Sequence, residues 1–396
     1  MKKLLVKNIG LLATPEGKSA HRGEEQGKIK FLKDAWVLIE DGIIASVGTG
    51  AVPAVEGAEV VDAEGHLVTP GLVDAHTHLI FGGWRQNELG LKLHGASYLD
   101  IQNAGGGIQS TTNATRQASE QELAAKASKA LDEMMGFGTT TVEAKSGYGL
   151  ATEHELKALE VIKDLNDHHR MDLVATFMGA HLVPAEYKSN REEYVRLVCE
   201  KMMPKVKEQG IAKFCDVFCE ADTFTVEESR QVLEAGLKYG LRPKIHADEI
   251  GAISAEHLIV CPPEGIASMA KGGVIACLLP ATSFNLGAVF APARDMVKAG
   301  VPVAMATDFN PGSCPCLNMQ FVINLGCLKY KLTPEEVLTA VTLNGAAAID
   351  LADKVGSVEE GKLGDLVIWD APDLDYICYR VGSNLAKTVI KRGEIV

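Results

Sequence analysis

The chain has 396 residues, of which 46% are hydrophobic, 23% charged and 39 are glycine. That composition is globular, and the length exceeds a typical single domain, so one large unit with a smaller companion is expected. The formal net charge of −13 argues against nucleic acid or an anionic membrane surface as a partner, and any anionic substrate would need a local cation.

Residues 1–66 read as short strands joined by turns. Ala35 to Glu40 and Ile43 to Val47 flank Asp41-Gly42, the signal of a hairpin. From residue 67 the pattern changes to apolar runs alternating with helical periodicity. Candidate strands are Leu67–Asp74, Thr139–Lys145, Leu173–Met178, Phe214–Phe218, Pro243–His246, His257–Val260, Val274–Leu279 and Val303–Ala306. Helices are expected at Glu120–Gly136, Glu153–Asp167, Arg191–Gln209, Val226–Tyr239 and Pro334–Leu351. Eight strands interleaved with helices indicate an α/β fold, a (β/α)₈ barrel over residues 67–355. Beyond it, Gly364–Asp370 and Ala386–Gly393 return to short strands. Neither end has enough apolar surface to fold alone, so residues 1–66 and 356–396 are expected to join in one small β-sandwich.

One interval is short. Only ten residues separate His246 from His257, whereas a parallel crossover uses about a dozen or more, usually with a helix. Either the barrel lacks its fifth helix or residues are missing between Glu249 and Ser254. The missing residues are the favoured explanation.

The chemistry-bearing residues fall at strand ends. His76 and His78 close the first barrel strand, and the two-residue period of a strand aims both imidazoles at the barrel mouth. His246 closes the fifth strand, followed by Asp248 and Glu249, and Asp308 closes the eighth. Three imidazoles and one carboxylate make a four-ligand site for one metal ion with room for a water, suited to zinc or iron.

His-x-His, the strand-five His246, the later His257 and the strand-eight Asp308 resemble the amidohydrolase superfamily across most of the chain. Finer motifs are similar to the imidazolonepropionase family within it. They are His78–Arg85, Ala104–Thr111, Lys145-Ser-Gly-Tyr-Gly149, Thr176–His181, His246-Ala-Asp-Glu249 and Thr307–Gly312. The departure is the stretch after Glu249, where that family carries a helix. The resemblance implies hydrolysis of 4-imidazolone-5-propanoate to N-formimidoyl-L-glutamate in histidine degradation, with one Zn²⁺ or Fe³⁺ per chain. It implies His76, His78, His246 and Asp308 as ligands, and Arg85 and Tyr148 as holders of the substrate's propionate. His181 and Glu249 would face the imidazolone ring. Asn310, Gly312 and Ser313 would form a contacting loop, with Ser313 standing where threonine is common. Asp308 would act as base, Glu249 as proton donor to the ring, and His257 as orienter of water or oxyanion. Arg85 would supply the local cation, as a guanidinium forks onto a carboxylate.

Each residue also has an ordinary use: a surface salt bridge for Arg85, a packed rim ring for Tyr148, a core histidine for His181, a solvated loop acid for Glu249, a strand cap for His257. The alternatives for the whole are an aminohydrolase of the cytosine or guanine deaminase kind with the same metal cage, or a non-catalytic scaffold. Gly105–Gly107 is not a nucleotide loop, for it follows no strand and lacks the later acid. The nine cysteines show no disulfide-framework spacing, and Cys314 with Cys316 lacks a second pair for zinc, so reduced thiols are expected. There is no signal-peptide stretch and no run near the roughly 20 apolar residues of a membrane helix. A cytoplasmic enzyme acting on a small anion follows, with a homodimer as the default assembly.

Overall fold

A computed structural model describes residues 2–95, 100, 105–220, 223–246 and 252–396. Sixteen strands among them form two eight-stranded sheets. In chain order they are β1 (Lys3–Thr14), β2 (Lys30–Glu40), β3 (Ile43–Thr49), β4 (Glu59–Asp62), β5 (Leu67–Pro70), β6 (Leu72–Thr77), β7 (Thr139–Lys145) and β8 (Asp172–Ala180). There follow β9 (Phe214–Val217), β10 (Arg242–Ile245), β11 (Ser254–Glu256), β12 (Ile275–Leu278), β13 (Val303–Met305), β14 (Leu366–Trp369), β15 (Ala386–Lys391) and β16 (Glu394–Ile395).

Strands β6 to β13 lie side by side in sequence order and pair in parallel. The seam between β13 and β6 is zipped just past the strand ends, where Thr77 bridges Phe309, the His78 amide donates to Phe309 O and the Asp308 amide to His76 O. The (β/α)₈ barrel is therefore the observed architecture. Its outer helices start on side-chain caps: Ser119, Thr225 and Thr333 each accept from the amide three residues on and are capped in return by a glutamate, a reciprocal arrangement that satisfies two orphan donors.

The other sheet unites both termini in the order β16-β15-β14-β5-β1-β2-β3, with β4 also on β1. Hydrogen bonds run through all eight strands. The sheet curls so that Leu4, Val6, Val37, Ile39, Val68, Leu366 and Ile390 pack in one buried cluster.

Four expected elements differ in detail. The run Leu67–Asp74 is two strands: β5 belongs to the terminal sheet and β6 to the barrel, with Gly71 between them. A Cβ on Gly71 would sit 2.2 Å from Thr140 Oγ1, so only glycine lets the chain pass from one sheet to the other there. The Arg191–Gln209 helix contains a π turn over Leu197–Met202. Pro204 cannot donate to the ladder, and the wider turn ahead of it re-spaces the bonds. Thr342 (φ −129°, ψ −90°) breaks the last helix into Pro334–Val341 and Leu343–Ala348.

The sixth barrel strand is Ser254–Glu256, three residues before the expected His257–Val260. His257 and Leu258 take left-handed φ values of 68° and 55°, which ends the extended run. This tightens the crossover: β11 pairs with β10 in the register Lys244↔Ser254 and Ile245↔Ala255, with eight residues between strands. Residues 247–251 of this crossover lie outside the described residues.

Candidate metal and substrate site

The site sits at the carboxyl ends of the barrel strands, where this architecture places its chemistry. Zipping β6 to β13 brings His76, His78 and Asp308 together: His76 Nε2 and His78 Nε2 each lie 3.5 Å from Asp308 Oδ1. Ligand atoms of these three fall within 4.8 Å of one another, as do those of His76, His246 and His257. His76 belongs to both groups, and its ring centroid is 4.7 Å from that of His246 and 5.4 Å from that of His78. Asp308 holds φ at 57°, uncommon outside glycine and typical of functional positions.

The buried nitrogens His76 Nε2, His78 Nδ1 and His246 Nε2 have no hydrogen-bond partner among the described residues. Orphaned buried polar atoms are rare, and two of these three are the imidazole atoms whose opposite nitrogen is engaged. His76 Nδ1 meets Glu256 Oε2 at 2.6 Å, and His246 Nδ1 meets Asp216 Oδ1 at 3.0 Å. This is the usual outer-shell support of metal-binding histidines, fixing ring and tautomer. Burial holds His76 and His78 well below the ordinary imidazole range, helped by Lys145 at the first and His181 at the second. The rings are therefore neutral, as ligands must be. These residues fit a metal ion.

Asp308 Oδ2 accepts from Thr282 Oγ1 at 2.6 Å and lies 4.0 Å from His257 Nε2. Burial pushes the Asp308 carboxyl up to about 6, against the opposing Thr282 hydrogen bond. Burial, with His246 nearby, lowers His257 to about 3.

Around the cage stand the expected substrate residues. His181 stacks on His78 at 4.9 Å and directs Nδ1 to Gly147 O at 2.8 Å. Tyr148 packs 5.2 Å from His181. Arg85 is buried, and its Nε and Nη1 make no hydrogen bond among the described residues. Its amide donates to Pro311 O, and a Cβ on Gly312 would fall 1.2 Å from Arg85 Nη2, so the 310–313 loop lies directly on the guanidinium. Glu88 Oε1 is 3.7 Å from Arg85 Nε.

Asn310 is close by, but its side chain is spent on the loop itself. Oδ1 accepts from the amides of Gly312 and Ser313 at 2.9 and 2.8 Å, and Nδ2 donates to Asp308 O and Ser313 Oγ. Glu249 lies outside the described residues. Asp216, Glu256 and Thr282 went unnamed in the sequence reading. A signal existed for the first two: an acid inside a short apolar strand, at Phe214-Cys-Asp-Val and Ser254-Ala-Glu, has to find a partner indoors. All nine cysteines are free, and among the described residues no helix is long and apolar enough to cross a membrane.

A closed parallel barrel with this histidine and carboxylate cage at its mouth defines an amidohydrolase. Two models described as the amidohydrolase family match residues 59–108 and 230–396. Among solved structures, guanine deaminase from C. acetobutylicum aligns over all of both chains at TM-score 0.70 and 18% identity. A mutant atrazine chlorohydrolase from Arthrobacter aurescens TC1, solved with zinc, aligns at TM-score 0.75 and 17% identity over 99% of this chain and 94% of its own. At those identities the likeness is one of fold.

Curated relatives are much nearer in sequence. Imidazolonepropionase of Alkaliphilus metalliredigens is 50% identical, covering 100% of this chain and 98% of its own. That of Brevibacillus brevis is 49% identical over the same shares. The chain belongs to the imidazolonepropionase family. The alignment with the Alkaliphilus enzyme runs to 414 positions, eighteen more than this chain has residues.

Proposed function

We propose that the chain hydrolyses the ring amide of 4-imidazolone-5-propanoate to N-formimidoyl-L-glutamate, a step of histidine degradation. The observation that carries this reading is the buried guanidinium of Arg85, whose Nε and Nη1 make no hydrogen bond among the described residues, beside a cage of imidazoles. His181, stacked on His78, has its pKa lowered to about 3, chiefly by burial and in small part by the charge of Arg85. A cyclic amide bearing a propionate presents both groups such a site would take, in a protein whose net charge would otherwise repel an anion.

His76, His78, His246 and Asp308 would hold one Zn²⁺ or Fe³⁺, since imidazole and carboxylate suit either. Bound there, such an ion supplies Lewis acidity and makes water acidic enough to react near neutral pH. The protein's own part is positioning and proton traffic. Arg85 and Tyr148 hold the propionate, and His181 faces the ring. Asp308 takes the proton of the attacking water as its oxygen joins the ring carbonyl carbon. It then gives that proton to the ring nitrogen as the carbon–nitrogen bond breaks. His257 orients the water. Glu249 is the second proton donor in this scheme. Gly312 and Ser313 contact substrate through the loop that Asn310 braces. Cytoplasm suits a small polar metabolite, and a homodimer is the assembly to test by sedimentation.

Incubation with 4-imidazolone-5-propanoate, following loss of its ultraviolet absorbance, tests the reading directly. Turnover that a chelator abolishes and added metal restores is the expected result. Undiminished activity in Arg85→Ala would overturn the assignment of Arg85 to the propionate.

A further inference from the structure

The barrel interior beneath the ligands carries charges that the scheme above leaves unused. Glu143 and Lys145 on β7, Asp216 on β9, Lys244 on β10 and Glu256 on β11 each have no accessible surface. Lys145 Nζ is 2.7 Å from Glu143 Oε1 and 2.9 Å from Asp216 Oδ2. Lys244 Nζ is 3.7 Å from the same Glu143 oxygen, 3.5 Å from Glu256 Oε1 and 3.2 Å from Ala75 O. The second oxygens of Asp216 and Glu256 are the ones that hold His246 and His76. A chain of ion pairs therefore runs from His246 through Asp216, Lys145, Glu143, Lys244 and Glu256 to His76, hydrogen-bonded at both imidazoles and between Lys145 and Glu143, and looser, at 3.7 and 3.5 Å, on either side of Lys244. At both ends Nε2 makes no hydrogen bond among the described residues.

Fold stability does not account for this arrangement. Buried ion pairs seldom outperform apolar residues of the same volume, because desolvation offsets the attraction. Three carboxylates against two ammoniums also leave the group with a formal charge of −1, which suits a cation above it better than an empty cage.

We propose that Lys145, Glu143 and Lys244 are positioning residues for the metal centre. They tie Asp216 to Glu256, hold the two carboxylates against Nδ1 of His246 and His76 so that the Nδ1–H tautomer of both rings is fixed together, and leave both Nε2 lone pairs for one ion. The proposal rests on the metal-site reading above, but not on the identity of the substrate.

Zn²⁺ affinity, measured by competition with a chromogenic chelator in the absence of substrate, tests it. Lys145→Met and Lys244→Met should each raise the Kd tenfold to a hundredfold, the usual cost of losing outer-shell support. They should also shift the ¹⁵N imidazole resonances of His76 and His246 away from the Nδ1–H pattern. Glu143→Gln, nearly isosteric, serves if a lysine variant does not fold and should weaken Zn²⁺ by a similar factor. Folded variants that bind Zn²⁺ as tightly as the unchanged protein, with unaltered imidazole resonances, would overturn the proposal. Failure to hydrolyse the imidazolone, with the Zn²⁺ effect intact, would refute only the substrate assignment.

Discussion

The two sheets of this protein have eight strands each and put opposite things inside. The curled terminal sheet buries aliphatic side chains, Val37, Ile39 and Ile368 among them. The barrel lines its floor with Glu143, Lys145, Asp216, Lys244 and Glu256. Apolar burial is non-directional and tolerates small rearrangement, whereas a buried charge has to keep its partner at a set distance. The terminal sheet can therefore hold the fold together with loose tolerances. The barrel interior trades that ease for fixed imidazoles.

Variants sharpen the contrast, beginning with those expected to do most. Asp308→Asn should lower kcat by about 10²–10⁴, the range for a positioned general base, in a protein with an unchanged melting profile. A melting temperature falling in step with activity would place Asp308 among the structural residues. Arg85→Met should reduce kcat/KM roughly tenfold to a hundredfold, mostly through KM, as expected for loss of a charge-assisted hydrogen bond. Gly312→Ala should act in the same direction by displacing the guanidinium, and steady-state kinetics on both would show it. In the terminal sheet, Ile368→Val should cost about 0.5–1.5 kcal/mol in denaturant unfolding while kcat of the folded protein stays the same.

The smallest effect is at the barrel's outer wall. Burial raises the Glu336 carboxyl, but the fork of Arg294, with Nη1 and Nη2 at 2.8 and 2.6 Å from its oxygens, more than offsets it and leaves the pKa below 4.5. A carboxyl depressed in the folded state lends stability above its unfolded pKa and loses it as pH falls through the folded value. Melting temperature against pH should thus fall below about pH 4.5, and more shallowly in Glu336→Gln. Identical slopes would show the ion pair to be thermodynamically silent.

Much of this was legible beforehand, and the reasons are physical. Strand period 2 aligned His76 with His78, and the alternation of strand and helix gave the barrel. The first long helix falls where periodicity put it, at Glu120–Gly136. The Leu67–Asp74 run gave no hint of its division, because apolar residues look alike whichever sheet they join; only Gly71 marked the passage. The fifth crossover is short in the sequence, and residues 247–251 within it lie outside the described residues. Asp216 and Glu256 lie in strands of four and three residues, too short for a two-residue period to show which face they take. The same period-2 logic, applied to Glu143 with Lys145 and to Lys244 with His246, puts those charges on the inward face.

Gly71 has a practical corollary. Since β5 pairs with β1 on one side and β14 on the other, a fragment starting at residue 67 and ending at 355 would carry a strand stripped of both neighbours. Such bare edges recruit other chains. The barrel is therefore not a detachable module: cut away from its termini, it is expected to precipitate through the four residues that lead into its own metal-bearing strand.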